Sequence, residues 1–469
     1  MSIDLTTTTA IDRLRGRVRR LLSGPAGRVD TPRIVRLETV LPEVGPLRWL
    51  ANQPFDRKVY WRDREGQEEI AGVGIADMVF SNEGIDFHHL QERLRRFLGD
   101  QSADVRYFGG LRFSDRICDA RHWEPFGALG FVAPRFELSR RRGRTILACQ
   151  FRLDPECDPG DLAREVDGDF DRLNVSLNGA GSRPLGPVVS RHDTPEPGEW
   201  SRQIGDALAQ FERGDLDKVV LARQTRLRFD RGLDPEAVLS RLRQANPHAY
   251  HFLFQPQSGL TFIGGSPERL YRRLGRHVAS EAVAGTRSRG TGSADDRLAR
   301  ELLESEKDRR EHRHVIDSVR AALERLGGGP VEPGPVEILK LARVQHLYAR
   351  LATRLRDGID DGDLLEELHP TPAVGGYPRR EALECISALE SFDRGWYAGP
   401  VGWIGPDGAE FAVAIRSGLV VGEELYLFAG AGIVPGSDAD TEWQEIESKL
   451  DGFVRVFKRR QSDPSPLKL

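Results

Sequence analysis

Short apolar runs with the two-residue alternation of β-strands are interleaved along this chain with a few long amphipathic stretches, and that mixture limits the fold. Lys58–Trp61 and Arg106–Phe113 read as strands in the first half, and Val219–Ala222, Leu260–Gly264, His277–Ala284, Gly399–Ile404, Glu410–Gly418 and Glu424–Ala429 in the second. Trp200, Ile204, Leu208 and Phe211 recur at helical spacing, and the charge and apolar patterns predict long helices over 296–325 and 440–458. A basic amphipathic stretch over 11–22 reads as a surface helix. Strands and helices in mixed order predict an α+β fold with large antiparallel β-sheets. Gly179 to Gly198 is rich in Gly, Pro and Ser and reads as a linker or long surface loop. The expected division is therefore an N-terminal, structural part over 1–195, a denser part over 196–460, and a frayed polar tail over 461–469.

Bulk properties exclude several classes. The 469 residues are 39% hydrophobic, enough for an ample core. With 68 basic against 72 acidic residues the formal charge is −4, so no nucleic-acid partner is expected. No apolar run approaches the length of a membrane span, and the N-terminus lacks the apolar centre of a signal peptide. Cys118, Cys149, Cys157 and Cys385 lie far apart, without paired spacing, and read as reduced thiols of a cytoplasmic protein.

Three stretches concentrate chemistry. In Thr441–Lys449, Glu442, Glu445 and Lys449 share one helix face, beside an apolar stripe of Trp443, Ile446, Leu450 and Phe453. Acids so near a buried stripe are costly unless a metal or charged ligand satisfies them; a solvated acidic face with one Glu–Lys pair is the plainer alternative. Lys218 opens an apolar strand, where a lysine either snorkels to water or, desolvated, acts as a base. Glu268 follows the strand ending Gly264-Gly265-Ser266-Pro267, read as a tight turn that presents either an acid or a turn carboxylate. Downstream, the backbone at Gly285 and Thr286 can cradle an anion, and Asp308 and Glu311 lie at i,i+3, ahead of His312 and His314. Oxygen ligands from two helices, without nearby cysteines, suit Mg²⁺ better than zinc.

Nine blocks in order, DKVVLAR, GGSPERL, AVAGTR, EKDRREH, VQHLYARL, HPTPAVGG, FAVAIRSG, GAGIV and EWQEIESK, resemble the chorismate-utilising enzyme family over residues 200–458. The resemblance implies large antiparallel sheets flanked by helices, with the active site between them. It also implies Mg²⁺ held by Glu311 and Glu445, with Asp308 and Glu442 reaching it through water. Chorismate would be the small-molecule partner, held by Arg416, Tyr397, Lys449 and the Gly430 and Gly432 backbone, with Gly285, Thr286, His346 and Ala373 around it. Lys218, where ammonia-adding relatives carry Gln, implies a base that activates water; Glu268 would be the acid for the departing hydroxyl. Ala284 stands where aminodeoxychorismate synthases place a lysine nucleophile. Ala373 stands where pyruvate-eliminating relatives carry Thr. Together these positions imply formation of isochorismate without a glutaminase subunit, with a salicylate synthase as the alternative. Pro46–Pro54 and Val59–Arg62 resemble the menaquinone-pathway members more than the siderophore-pathway ones.

Overall fold

The computed structural model describes residues 5–85, 87–97, 104–115, 121–174, 185–341 and 344–457. Cys118 and the expected tail lie outside them, as does 179–184 of the expected linker. The remainder of that linker is not loop throughout: Val188–Thr194 is a strand paired antiparallel with Lys218–Phe229. Two antiparallel sheets form the body, one of twelve strands and one of nine among the described residues. The first sheet joins both halves of the sequence, because Lys58–Arg62 pairs with Tyr250–Gln257. The second likewise pairs Tyr107–Leu111 with Pro400–Ile404. A continuous buried cluster of Leu, Ile, Val, Phe and Trp side chains spans both sheets, so the N-terminal part shares one core with the rest. The expected α+β class is what is observed.

Two departures from expectation position the site. The run 410–418, read as a single strand, is two strands in different sheets: Gly408–Val413 in the second and Ser417–Val421 in the first. The chain crosses between sheets at Ala414-Ile415-Arg416, where Arg416 takes a left-handed φ of 52°. Leu260–Ser266 and Arg269–Leu274 make a parallel exchange of sheets through Pro267 and Glu268, so Gly264-Gly265 is strand rather than tight turn. The two crossings are tied together, since Leu260–Ser266 pairs with Ser417–Val421 and Arg269–Leu274 pairs with Gly408–Val413. Alternating side chains look alike whichever sheet a strand joins, which is why the sequence pattern does not reveal the exchange.

The helix expected over 296–325 is broken into Ser293–Glu304 and Glu306–Leu326. Ser305 adopts an extended conformation and its hydroxyl accepts from the Asp308 N–H at 3.3 Å, capping the second helix. Such a cap contributes about 1 kcal/mol. The second helix packs on His277–Ser288 and Val344–Arg354 of the second sheet through Val315, Val319 and Leu323. The helix expected over 440–458 runs Ala439–Val454, capped by the Asp438 carboxylate on the Thr441 N–H at 2.9 Å, and ends in a 3-10 turn over Arg455–Phe457. It buries Ile446, Leu450 and Phe453 and packs on Glu424–Ile433 of the first sheet. The strand expected over 424–429 runs on through Gly430 and Gly432 to Ile433.

Candidate active site

Between the sheets lies a cavity of about 820 Å³ whose wall includes every site residue singled out from sequence, from Lys218 and Glu268 to Glu445 and Lys449. Its two flanking helices each bring carboxylates: Asp308 and Glu311 from Glu306–Leu326, Glu442 and Glu445 from Ala439–Val454. The paired crossings supply Glu268 and Arg416 at its floor.

Lys218, the first residue of its strand, does not reach bulk water; it is 4% exposed and its Nζ donates to Glu311 Oε1 at 2.6 Å. Burial raises the Glu311 proton affinity, but the nearby ammonium of Lys218 outweighs it and holds the carboxyl below its ordinary value. A Cβ at Gly432 would stand 3.1 Å from Lys218 Cε, so glycine leaves the channel through which the lysine extends. Glu268 is also buried, and among the described residues no hydrogen-bond donor is directed at its carboxyl. Desolvation, reinforced by the charge of Glu281 and opposed by Lys218, pushes it up to about 7. One cavity thus holds a buried amine and a carboxyl that keeps its proton near neutrality.

The anion-binding side is built from backbone as much as from side chains. Val220 and Ala222 turn their N–H groups to the Gly375 carbonyl and to Glu390, each at 2.8 Å, away from Glu424–Ile433. Their partners in register are Gly432 and Gly430, whose peptide groups must therefore face away from that ladder as well. The Gly430 carbonyl accepts from Lys449 Nζ at 2.8 Å, leaving the N–H groups of Gly430 and Gly432 outside the ladder on the same side. Arg416 is fixed by donating to the Lys449 carbonyl at 2.8 Å, and burial lowers its proton affinity. Tyr397 stacks on Phe428 at 5.2 Å, and burial pushes its phenol up to about 12, so it remains a donor. Both Arg416 and the residue after Tyr397, Ala398, hold left-handed φ values of 52° and 61°, strain of the kind that persists where the surroundings fix a side chain's aim.

On the opposite wall the strand His277–Ser288 bulges at Gly285, whose φ is 65° and whose absent Cβ would lie 3.1 Å from Asp308. His346 Nδ1 sits 3.0 Å from the Gly285 carbonyl and 3.1 Å from the Thr286 hydroxyl. A carbonyl only accepts, so Nδ1 carries the hydrogen and Nε2 is left as an acceptor. Burial drives His346 down to about 4, so the ring is neutral at working pH. Ala373 lines the same cavity with no polar atom.

The carboxylates differ from a preformed metal cage. Among the described residues no three of the acidic or imidazole side chains converge on one point. Glu311 is paired with Lys218, Asp308 with Arg287 at 2.7 Å, Glu445 with Lys449 at 2.6 Å, and Glu442 accepts from Ser437 at 2.9 Å. Burial first, and then the charge of Glu445, raises Glu442 above the usual carboxylate value. A donor set of oxygens only fits a hard divalent cation. Arg287 was not singled out from the sequence, although it ends the Gly-Thr-Arg triplet; its basic charge beside an anion cradle was the available signal.

A family model described as chorismate binding enzyme matches residues 22–458. The chain belongs to the chorismate binding enzyme family. Within the family it is 38% identical over 406 residues to isochorismate synthase 2, chloroplastic, of Arabidopsis thaliana, covering 84% of this chain and 71% of that protein. It is 34% identical over 454 residues to the salicylate biosynthesis isochorismate synthase of Pseudomonas aeruginosa, covering 94% and 93%. The structure of MenF, the menaquinone-specific isochorismate synthase from Escherichia coli, matches with a TM-score of 0.85 at 30% identity, covering 97% of this chain and all of that one (100%). The chorismate binding fold therefore extends through the N-terminal part as well as the motif-bearing region. No helix among the described residues is long and apolar enough to cross a membrane, and Cys149, Cys157 and Cys385 are free thiols.

Proposed function

We propose that the chain is an isochorismate synthase, exchanging the 4-hydroxyl of chorismate for a 2-hydroxyl, and that it serves menaquinone biosynthesis. The observation that carries this reading is the pairing in one cavity of buried Lys218 with a Glu268 that holds its proton up to about 7. Lys218, acting as the neutral amine, takes the proton of a water that attacks C2. Glu268 gives its proton to the C4 oxygen as that bond breaks, and the ring double bonds shift between the two carbons. His346, with Nε2 as acceptor, orients the departing hydroxyl. Arg416, Tyr397 and the N–H groups of Gly430 and Gly432 hold the enolpyruvyl carboxylate, the guanidinium being suited to two-point contact. Glu311 and Glu445, with Asp308 and Glu442 behind them, would hold Mg²⁺, which when bound neutralises the acidic wall and polarises the ring carboxylate of the substrate. Lys449, anchored on Gly430, supports Glu445. The menaquinone assignment draws on the MenF likeness through the N-terminal part.

The test is a product analysis with purified protein, chorismate and Mg²⁺, followed by chromatography and a coupled pyruvate assay. Isochorismate approaching a stable ratio with chorismate, no enzyme-dependent pyruvate, and loss of turnover in EDTA are the expected results. Salicylate with stoichiometric pyruvate would replace this reading by a salicylate synthase. The branch is set by the small side chain at Ala373, on the cavity wall. Ala373→Thr is expected to release pyruvate alongside isochorismate; an unchanged product profile would remove that position from the branch decision.

A further inference from the structure

Behind Glu268 lies a buried ionic cluster that the reaction as described does not use. Glu281, on the strand His277–Ser288, has a side chain only 1% exposed. Arg64, in the turn between Lys58–Arg62 and Glu68–Val73, grips both of its oxygens, Nη1 to Oε2 at 2.9 Å and Nη2 to Oε1 at 2.8 Å. Arg269 Nη1 donates to Oε1 at 2.8 Å and the Tyr348 hydroxyl at 3.3 Å. Arg64 Nη1 also donates to the Pro267 carbonyl at 3.0 Å, and that carbonyl belongs to the peptide bond whose nitrogen is that of Glu268. The residue that carries the acid is thus pinned from the N-terminal half of the chain.

We propose that Arg64 and Glu281 act as positioning residues for Glu268, Arg64 by fixing the sheet-crossing peptide and Glu281 by setting the charge that Glu268 faces. The proposal rests on the role given to Glu268 in the proposed function. The charged groups whose fields reach Glu268 are Glu281 from one side and Lys218 from the strand opposite. Glu281 in turn faces Arg64, Arg269 and Tyr348, and Arg269 divides its charge among Glu281, Glu65 and Glu410. A negative charge beside a buried carboxyl favours its protonated form, and a positive charge does the opposite. Desolvation is the largest part of what retains the proton on Glu268, Glu281 extends that retention, and Arg64 and Arg269 bear on it only through their pairing with Glu281. The Glu281 cluster is buried too deeply, and too fully paired, to be a surface salt bridge with no consequence for the site.

The consequence is a pair of opposite displacements. Activity that needs Glu268 protonated falls as pH rises through its pKa, giving the high-pH limb of kcat/KM. Glu281→Gln removes the negative charge, so Glu268 releases its proton more readily and the limb moves to lower pH, by about one pH unit. Arg64→Ala leaves Glu281 less compensated, so the limb moves to higher pH, while loss of the Pro267 contact lowers kcat about tenfold with KM within about twofold of wild type. Opposite shifts, with both variants folded by circular dichroism and thermal melting, are not produced by a merely structural contact. Limbs that overlay the wild type, or that move in the same direction, would overturn the proposal. Should Arg64→Ala fail to fold, Glu281→Gln decides alone, a limb moved down supporting the proposal and an unmoved one overturning it. If the wild-type limb itself survives in Glu268→Gln, the assignment of the acid falls instead, and the two failures are thereby distinguished.

Discussion

Lys218→Gln is expected to reduce turnover by roughly 10²–10⁴, about 3–5.5 kcal/mol of barrier, while chorismate still binds. The amide is one bond shorter than the lysine and can still donate a hydrogen bond, but it cannot take a proton from water. Lys218 is held by Glu311 at 2.6 Å, so the substitution also removes an ammonium that this carboxylate contacts. Addition of ammonium salts offers a second readout, because ammonia is already a nucleophile and needs no base. A Lys218→Gln enzyme within about threefold of wild-type turnover with water would refute the role of base. Binding is checked by quenching or calorimetry with chorismate, and its retention distinguishes lost chemistry from a collapsed site.

Glu268→Gln is expected to cost a similar roughly 10²–10⁴ in turnover, since the amide cannot protonate the departing hydroxyl. The accompanying change in stability has a definite sign. A carboxyl pushed up to about 7 in the folded state destabilises the fold when ionised, and that cost grows as pH rises from its unfolded value through 7. The amide carries no such cost. At pH 8 the variant should therefore melt at or above the wild-type temperature, although it is nearly inactive. A lower melting temperature with intact activity would remove Glu268 from the chemistry and leave it as a packing group.

The sequence conveyed the site better than the fold that holds it. The ordered blocks named the carboxylates, the lysine and the arginine, and all of them line one cavity, because each block is short and its residues stay together wherever the chain goes. What lies between blocks was less legible. Nothing in FAVAIRSG marks the point at which the chain leaves one sheet for the other, since both strands alternate in the same way and Arg416 is not a residue that announces a left-handed φ. The break at Ser305 was hidden for a related reason: the charged periodicity continues across it, and only the single capping hydroxyl differs. Arg64 was invisible for a third. It lies about two hundred residues before the carboxylate it grips, and no local pattern records a contact made through the packing of two sheets.

The exchange of strands between sheets also bears on how the protein is made. Leu260–Ser266 lies between Tyr250–Gln257 and Ser417–Val421, and Lys218–Phe229 lies beside Glu424–Ile433. The second sheet cannot be completed until Val413 has left the ribosome, nor the first until Ile433 has, and the helix bearing Glu442 and Glu445 follows later still. The chain therefore emerges with long apolar edges awaiting partners, a topology of distant contacts that folds slowly and exposes strand edges meanwhile. A nascent chain stalled before residue 400 would hold Lys218 and Glu268 but could not bring them into a finished pocket, and unpaired strand edges during synthesis are the cost of placing a site where two sheets trade strands.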